Sequence, residues 1–150
     1  MLKTPLLPSE MLAALAAAGH GSLVLIADSN YAPSTSRGPN ATIVHLNLVP
    51  GVVDAVTVLS AVAGAIPIEQ AYVMQPLTEG PYAMSGEPTI WAEFSRVLAE
   101  HGSPVPLEPV ERMQFYDLAA TPQVALVVAT ADQRLYANVM VRIGVVFPPS

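Results

Sequence analysis

Leu23-Val24-Leu25-Ile26-Ala27-Asp28 is a run of consecutive apolar residues closed by a single carboxylate. A strand with one wet face alternates apolar and polar residues. An unbroken run of this length predicts a strand buried on both faces, inside a sheet covered by helices. Upstream, Pro8-Ser9-Glu10 opens a helix, with Ser9 as N-cap and Glu10 favourable in the first turn. Leu12, Leu15 and Ala16 form its apolar face, and Gly19 is placed to end it in the left-handed conformation. Downstream, residues 29–41 (SNYAPSTSRGPNA) form a long polar loop of the kind that commonly carries function.

The rest of the chain follows the same alternation. Thr42–Leu46 is a short strand. Pro50 and Gly51 open a second helix, with Val52, Val53, Val56 and Leu59 on one side and Asp54, Thr57 and Ser60 on the other. Ala71–Met74 is a further short strand. Thr89–His101 is the clearest helix, because Ile90, Trp91, Phe94, Val97 and Leu98 share one face and Gly102 ends it. Pro104, Pro106 and Pro109 exclude regular helix beyond it. Arg112–Ala120 is a short helix stopped by Thr121-Pro122. Gln123–Thr130 is a second buried strand, and Ala137–Ile143 a third, read as its hairpin partner. Strands alternating with helices specify an α/β fold with a largely parallel sheet and an antiparallel element near the C-terminus.

Composition narrows the function. The 150 residues suggest one domain over 1–150. Six Lys+Arg against 12 Asp+Glu give a net charge of −6, and these charged residues are only 12% of the chain. Soluble surfaces usually carry roughly 25–35% charged residues. The folded surface expected for this mass is about 7,300 Å², so part of it is expected to be apolar and buried against copies of the same chain. Disorder is excluded by a hydrophobic content of 52%. No basic stripe is present to bind nucleic acid. Without cysteine there is neither a disulfide framework nor a thiolate metal site. Met1-Leu2-Lys3 and the apolar stretch to Ala18 imitate a signal peptide, but prolines and Glu10 interrupt it. The uncharged run Ala55–Ile68 is too short to span a bilayer. The expectation is a cytoplasmic protein without a membrane segment.

Several constellations could carry chemistry. Gly19-His20-Gly21 reads as a helix end and turn, yet His20 is also the side-chain type suited to moving a proton either way near neutrality. Asp28 reads as a turn residue or, at the carboxyl end of a buried strand, as an acceptor for ligand hydroxyls. In Arg112-Met113-Gln114-Phe115-Tyr116, Phe115 is a core anchor, while Arg112 offers a fork of donors and Tyr116 a hydroxyl. Tyr136-Ala137-Asn138 opens the last strand. No phosphate cradle, no paired histidines at metal spacing and no nucleophile elbow occur, so neither cofactor nor metal is expected. His45 reads as the exposed side of a strand, and His101 as a helix-closing residue.

Taken in order, these segments resemble the D-ribose pyranase/L-fucose mutarotase family, closer to the fucose type. The resemblance rests on Met1-Leu2-Lys3-Thr4, Gly19-His20-Gly21 with Asp28 eight residues after His20, Arg112–Tyr116, Tyr136-Ala137-Asn138 and Gly144-Val145. Differences from the fucose pattern are Pro33, five residues after Asp28, together with Ala131 and Leu135. The resemblance implies a three-layer α/β/α sandwich with a mostly parallel mixed sheet, assembled into ring-shaped decamers with sites between subunits. It implies that His20 is the proton donor and that Asp28, Arg112, Tyr116, Tyr136, Ala137 and Asn138 contact the sugar. The implied activity is α/β anomer interconversion of a free neutral monosaccharide such as L-fucose. The alternative is a non-catalytic monosaccharide-binding protein associated with sugar uptake or metabolism. It would use Asp28 and Asn138 but have no need of His20.

Overall fold

The computed structural model describes residues 1–6 and 8–150. The apolar run Leu23–Ala27 is β1, with no solvent exposure at any position. The remaining elements in chain order are α1 (Ser9–Ala17), preceding β1, then β2 (Thr42–His45), α2 (Ala55–Ala63), β3 (Ile68–Met74), α3 (Ile90–Glu100), β4 (Leu107–Val110), α4 (Arg112–Ala119), β5 (Val124–Ala129) and β6 (Val139–Ile143). The strands form one sheet in the order β2-β5-β1-β6-β3-β4. β1, β2 and β5 pair in parallel, as do β3 and β4, while β6 runs antiparallel to both β1 and β3. Five strands therefore point one way and β6 alone the other.

The period of two along β1 sorts its side chains onto two faces. Val24 and Ile26 join the larger core, under α1, α2 and α3. Leu23, Leu25 and Ala27 join a second core with Phe115 and Ala119 of α4 and Tyr31 of the long loop. This is the expected α/β/α arrangement, with one thick layer and one thin one. On the thin side α4 is the one helix among the described residues, joined by the 28–41 loop and by Met84 and Tyr136 from the β3–α3 and β5–β6 segments, and a cleft opens between them.

Several elements differ from the pattern the sequence predicts. β6 is not a hairpin partner of β5, because β1 lies between them. A hairpin turn needs two to five residues, whereas residues 130–138 form a longer connection that crosses the end of β1. Pro8, not Ser9, takes the N-cap position of α1 with an extended backbone, and the Ser9 hydroxyl donates to Glu10 instead. The left-handed glycine is Gly21 (φ 84°), not Gly19. α2 starts later than the Val52-Val53 pair suggested, because Val49–Val52 closes into a tight turn around Gly51 (φ 81°). Asp54 is then the N-cap, accepting from the Thr57 N–H at 2.7 Å. Asp54→Ala is expected to lower stability by about 1 kcal/mol in urea unfolding, and an unchanged midpoint would contradict that role. β4 was not foreseen: it tolerates Pro109 because it is an edge strand paired only with β3.

The exposed surface is 7,955 Å², somewhat more than the scaling estimate of about 7,300 Å². Leu48, Val146 and Phe147 stand 77–82% exposed. No helix among the described residues is long and apolar enough to cross a membrane.

Candidate active site

Because β6 runs against its neighbours, it begins where β1 ends. Ile26 pairs with Val139, which sets Asp28 and Asn138 side by side at the carboxyl edge of the sheet, where open α/β sheets bind ligands. The two residues bond reciprocally. The Asp28 N–H donates to Asn138 Oδ1 at 2.8 Å, and Asn138 Nδ2 donates to Asp28 Oδ2 at 2.9 Å. Asp28 Oδ1 also accepts from the N–H groups of Asn30 and Tyr31, each at 2.9 Å. Both side chains are buried. Burial raises the Asp28 carboxyl above its ordinary value of 3.8, against these hydrogen bonds, and the nearby charge of Asp132 adds to the rise. The sign follows: folded Asp28 holds its proton more tightly, so its contribution to stability falls as pH rises from 3.8 through its folded value.

Beside this pair opens a pocket of about 370 Å³. Its walls come from four places: Asn30 and Tyr31 of the loop after β1; Met74, Leu77 and Tyr82 at and beyond the end of β3; Arg112 and Tyr116 of α4; and Leu135 and Tyr136 before β6. α4 is placed by its N-cap, Glu111, whose carboxylate accepts from the N–H groups of Met113 and Gln114 at 2.8 and 3.1 Å. The fully buried Phe115 pins it to the sheet. Arg112 and Tyr116 are four residues apart and therefore share a helix face. The Arg112 guanidinium lies 5.6 Å from the Tyr116 ring centre. The other neighbour of that ring is Tyr31, stacked at 5.5 Å with planes 27° apart. The Tyr31 hydroxyl donates to the Ser36 carbonyl at 2.8 Å, and burial pushes its phenol pKa up.

Tyr136 adopts a left-handed backbone (φ 60°), uncommon for an aromatic residue. Its hydroxyl donates to the Tyr82 carbonyl at 2.7 Å and accepts from the Leu77 N–H at 3.1 Å. It thus ties down the segment between β3 and α3. Among the described residues, the hydroxyls of Tyr31, Tyr72 and Tyr136 are bonded within the chain, while Tyr116 offers its own at the pocket wall.

Of the residues singled out in the sequence, Asp28, Arg112, Tyr116, Tyr136 and Asn138 converge on this pocket. Ala137 does not line it: its side chain turns to the opposite face and is fully buried in the larger core. His20 is elsewhere. It precedes β1 while Asp28 follows it, and the five residues of β1 span about 17 Å. Its side chain is 60% exposed and Nε2 lies 3.0 and 3.1 Å from the two carboxylate oxygens of Glu69. Arg142 steadies the same turn by donating to the Gly21 carbonyl at 3.0 Å.

Glu69 and Asp132 were not anticipated. Glu69 lies 49 positions from His20, and only strand register brings them together. Asp132 had a signal, since it follows an apolar strand much as Asp28 does. Its carboxylate is buried, which alone would raise it, but hydrogen bonds from Arg134 and the Ala55 N–H hold it below its ordinary value. Its stabilising contribution is therefore present above 3.8 and lost as pH falls through its depressed value.

Residues 1–146 match the RbsD / FucU transport protein family. The chain belongs to this family. A fucose mutarotase of Danio rerio is 31% identical over 95% of this chain and 91% of its own. The Homo sapiens fucose mutarotase is 31% identical over 93% and 90%. Among solved structures, FucU from Bifidobacterium longum superposes with a TM-score of 0.75 at 28% identity, covering 93% of this chain and 95% of that one. A fucose mutarotase from Streptococcus pneumoniae, crystallised with L-fucose, gives a TM-score of 0.79 at 21% identity over 98% and 100%. The mixed six-stranded sheet with its helices is thus the fold of RbsD / FucU proteins.

Proposed function

We propose that this protein is a monosaccharide mutarotase, an isomerase that interconverts the α and β anomers of a free aldose such as L-fucose. The observation that carries the reading is the buried Asp28–Asn138 pair, which opens onto a pocket with both polar and apolar walls. Such walls suit a neutral sugar, which presents hydroxyls on its edges and C–H groups on its faces. The fucose mutarotases related to the chain across nearly its whole length support the same reading.

Anomer exchange requires opening a hemiacetal ring. One group protonates the ring oxygen while another takes the proton of the anomeric hydroxyl, and closure on the other face reverses both transfers. His20 is the acid/base, with the Glu69 carboxylate fixing its ring. Asp28 and Asn138 hold sugar hydroxyls. Tyr116, whose hydroxyl is open to the pocket, orients the anomeric hydroxyl, and Arg112 lies at the rim. Tyr136 shapes the pocket, since its own proton is engaged by Tyr82.

His20 cannot reach the pocket of its own chain, so it acts in the pocket of a second copy. The exposed Leu48, Val146 and Phe147 and the scarcity of charge support burial between copies, in a ring such as a decamer. The working unit is then one sugar-binding domain over 1–150 repeated around the ring, acting in the cytoplasm.

A pH dependence follows. Protonated Asp28 no longer accepts hydroxyl hydrogens as a carboxylate. kcat/KM is therefore expected to fall on an acid limb centred above 3.8. Exchange NMR at a series of pH values reads this directly, and loss of activity only at or below the ordinary carboxylate value would count against Asp28 as a sugar ligand. Sugar binding without faster exchange for any aldose would instead select a non-catalytic binding protein.

A further inference from the structure

Asp28 is bracketed on both sides by the segment that joins β5 to β6. Before it, the Ala27 carbonyl accepts from both the N–H and the hydroxyl of Thr130, at 3.0 and 2.8 Å. After it, the Ser29 N–H donates to the Asp132 carbonyl at 2.8 Å. The shape of that segment is in turn set by the Asp132 side chain, only 2% exposed. Oδ1 accepts from the backbone N–H of Arg134 at 3.1 Å and from its Nε at 2.9 Å. Oδ2 accepts from Arg134 Nη2 at 2.7 Å and from the Ala55 N–H at 3.1 Å. The remaining arm of the guanidinium reaches Glu93 on α3 at 2.7 Å. One carboxylate thus joins the start of α2, the β5–β6 segment and, through Arg134, α3. Two residues past Arg134 comes Tyr136 with its left-handed backbone, and two further is Asn138.

We propose that Asp132 and Arg134 are positioning residues for the sugar site: together they fix the segment that brackets Asp28, and the guanidinium offsets part of the negative charge that Asp132 presents to it. The inference rests on the reading of Asp28 as a sugar ligand. The titratable or charged groups around Asp28 are Asp132 and Tyr136 on the β5–β6 segment, Tyr31 on its own loop, Tyr82 beyond β3, and Arg112 and Tyr116 on α4. Of these, Asp132 is the negative charge that opposes ionisation of Asp28. In the unmodified protein the fork of Arg134, bonded to both Asp132 oxygens, offsets part of it. Without the fork, a buried carboxylate faces Asp28 uncompensated, and like charges in one site push a carboxyl up.

The test compares Arg134→Gln, the double variant Asp132→Asn/Arg134→Gln, and Arg134→Lys. Two readouts are taken: the titration of the Asp28 carboxyl by ¹³C NMR without sugar, and anomer exchange against pH with kcat and KM separated. Arg134→Gln is expected to move the Asp28 titration and the acid limb up by about one pH unit, and the double variant to bring both back. A purely structural role would leave the Asp28 titration unmoved in Arg134→Gln, or equally displaced in the single and double variants. Either of those results overturns the proposal. Arg134→Lys keeps the charge but loses the fork, and it covers the case in which Arg134→Gln does not fold. It is expected to raise KM several-fold while leaving the titration near that of the unmodified protein, and a titration displaced by a full pH unit overturns the proposal. If the unmodified protein accelerates exchange of no sugar, the mutarotase reading fails, while the sugar-free carboxyl titration still decides this one.

Discussion

His20→Ala is expected to slow α/β exchange by about 10²-fold or more at saturating sugar, the scale on which one positioned acid/base contributes. Sugar affinity should change little, because the residues proposed to bind hydroxyls lie at the far end of β1. Stability should also hold, since the side chain is 60% exposed and its partner Glu69 is 38% exposed. Such an exposed pair contributes little to folding. The same geometry gives a sharper outcome. If His20 serves a neighbouring copy, a site lost through His20 and a site lost through Asp28 belong to different subunits. Unfolding and refolding the two single variants as a mixture should therefore restore about a quarter of the sites by random pairing around a ring. An inactive mixture with intact assembly would place His20 outside the reaction between copies. Exchange by His20→Ala at the unmodified rate would remove it from catalysis altogether.

Asp28→Asn is the second large effect. The aspartate accepts from Asn138 Nδ2 while its own N–H donates to Asn138 Oδ1. An asparagine here can still accept from the Asn30 and Tyr31 N–H groups, but its amide then faces the Asn138 amide, donor against donor. Rotating Asn138 would sacrifice the bond from residue 28. The site also loses its charge, and hydrogen bonds to charged groups contribute about 1.5–3 kcal/mol each. kcat/KM should fall by about one to two orders of magnitude, mostly through KM. The acid limb assigned to Asp28 should disappear from the profile. A variant that keeps its efficiency within a small factor, or keeps the limb, would show that the carboxylate does not hold the sugar.

What could be read without coordinates follows physical lines. β1 was legible because both of its faces are buried, which leaves no polar residue in the run. α3 was legible because one face, from Ile90 to Leu98, is buried while the other is wet. β4 was not, because an edge strand with Pro109 buries little and carries no pattern. The start of α2 is not legible, because Val52 and Val53 look like a helix face but belong to a turn stabilised by backbone bonds. The pairing of β6 is not legible either, because proximity in sequence suggests a hairpin, whereas β1 lies between β5 and β6.

At the site, Asp28 was legible from a strand-end argument, while Asn138, Arg112 and Tyr116 gained their site roles from the family resemblance and their side-chain chemistry. The separation of His20 from Asp28 was implicit in the length of β1. The Glu69 and Arg134 contacts were not, because each depends on register between segments far apart in the chain. Ala137 shows the limit of reading a triplet as a unit, since alternate residues of a strand face opposite ways.

The central claim is anomer exchange, and saturation-transfer NMR on equilibrated L-fucose with catalytic amounts of the unmodified protein tests it most directly. The account predicts that irradiating the α anomeric proton attenuates the β signal far beyond the spontaneous rate, in proportion to protein concentration. Unchanged spontaneous exchange for fucose, and likewise for ribose, galactose and rhamnose, would contradict it.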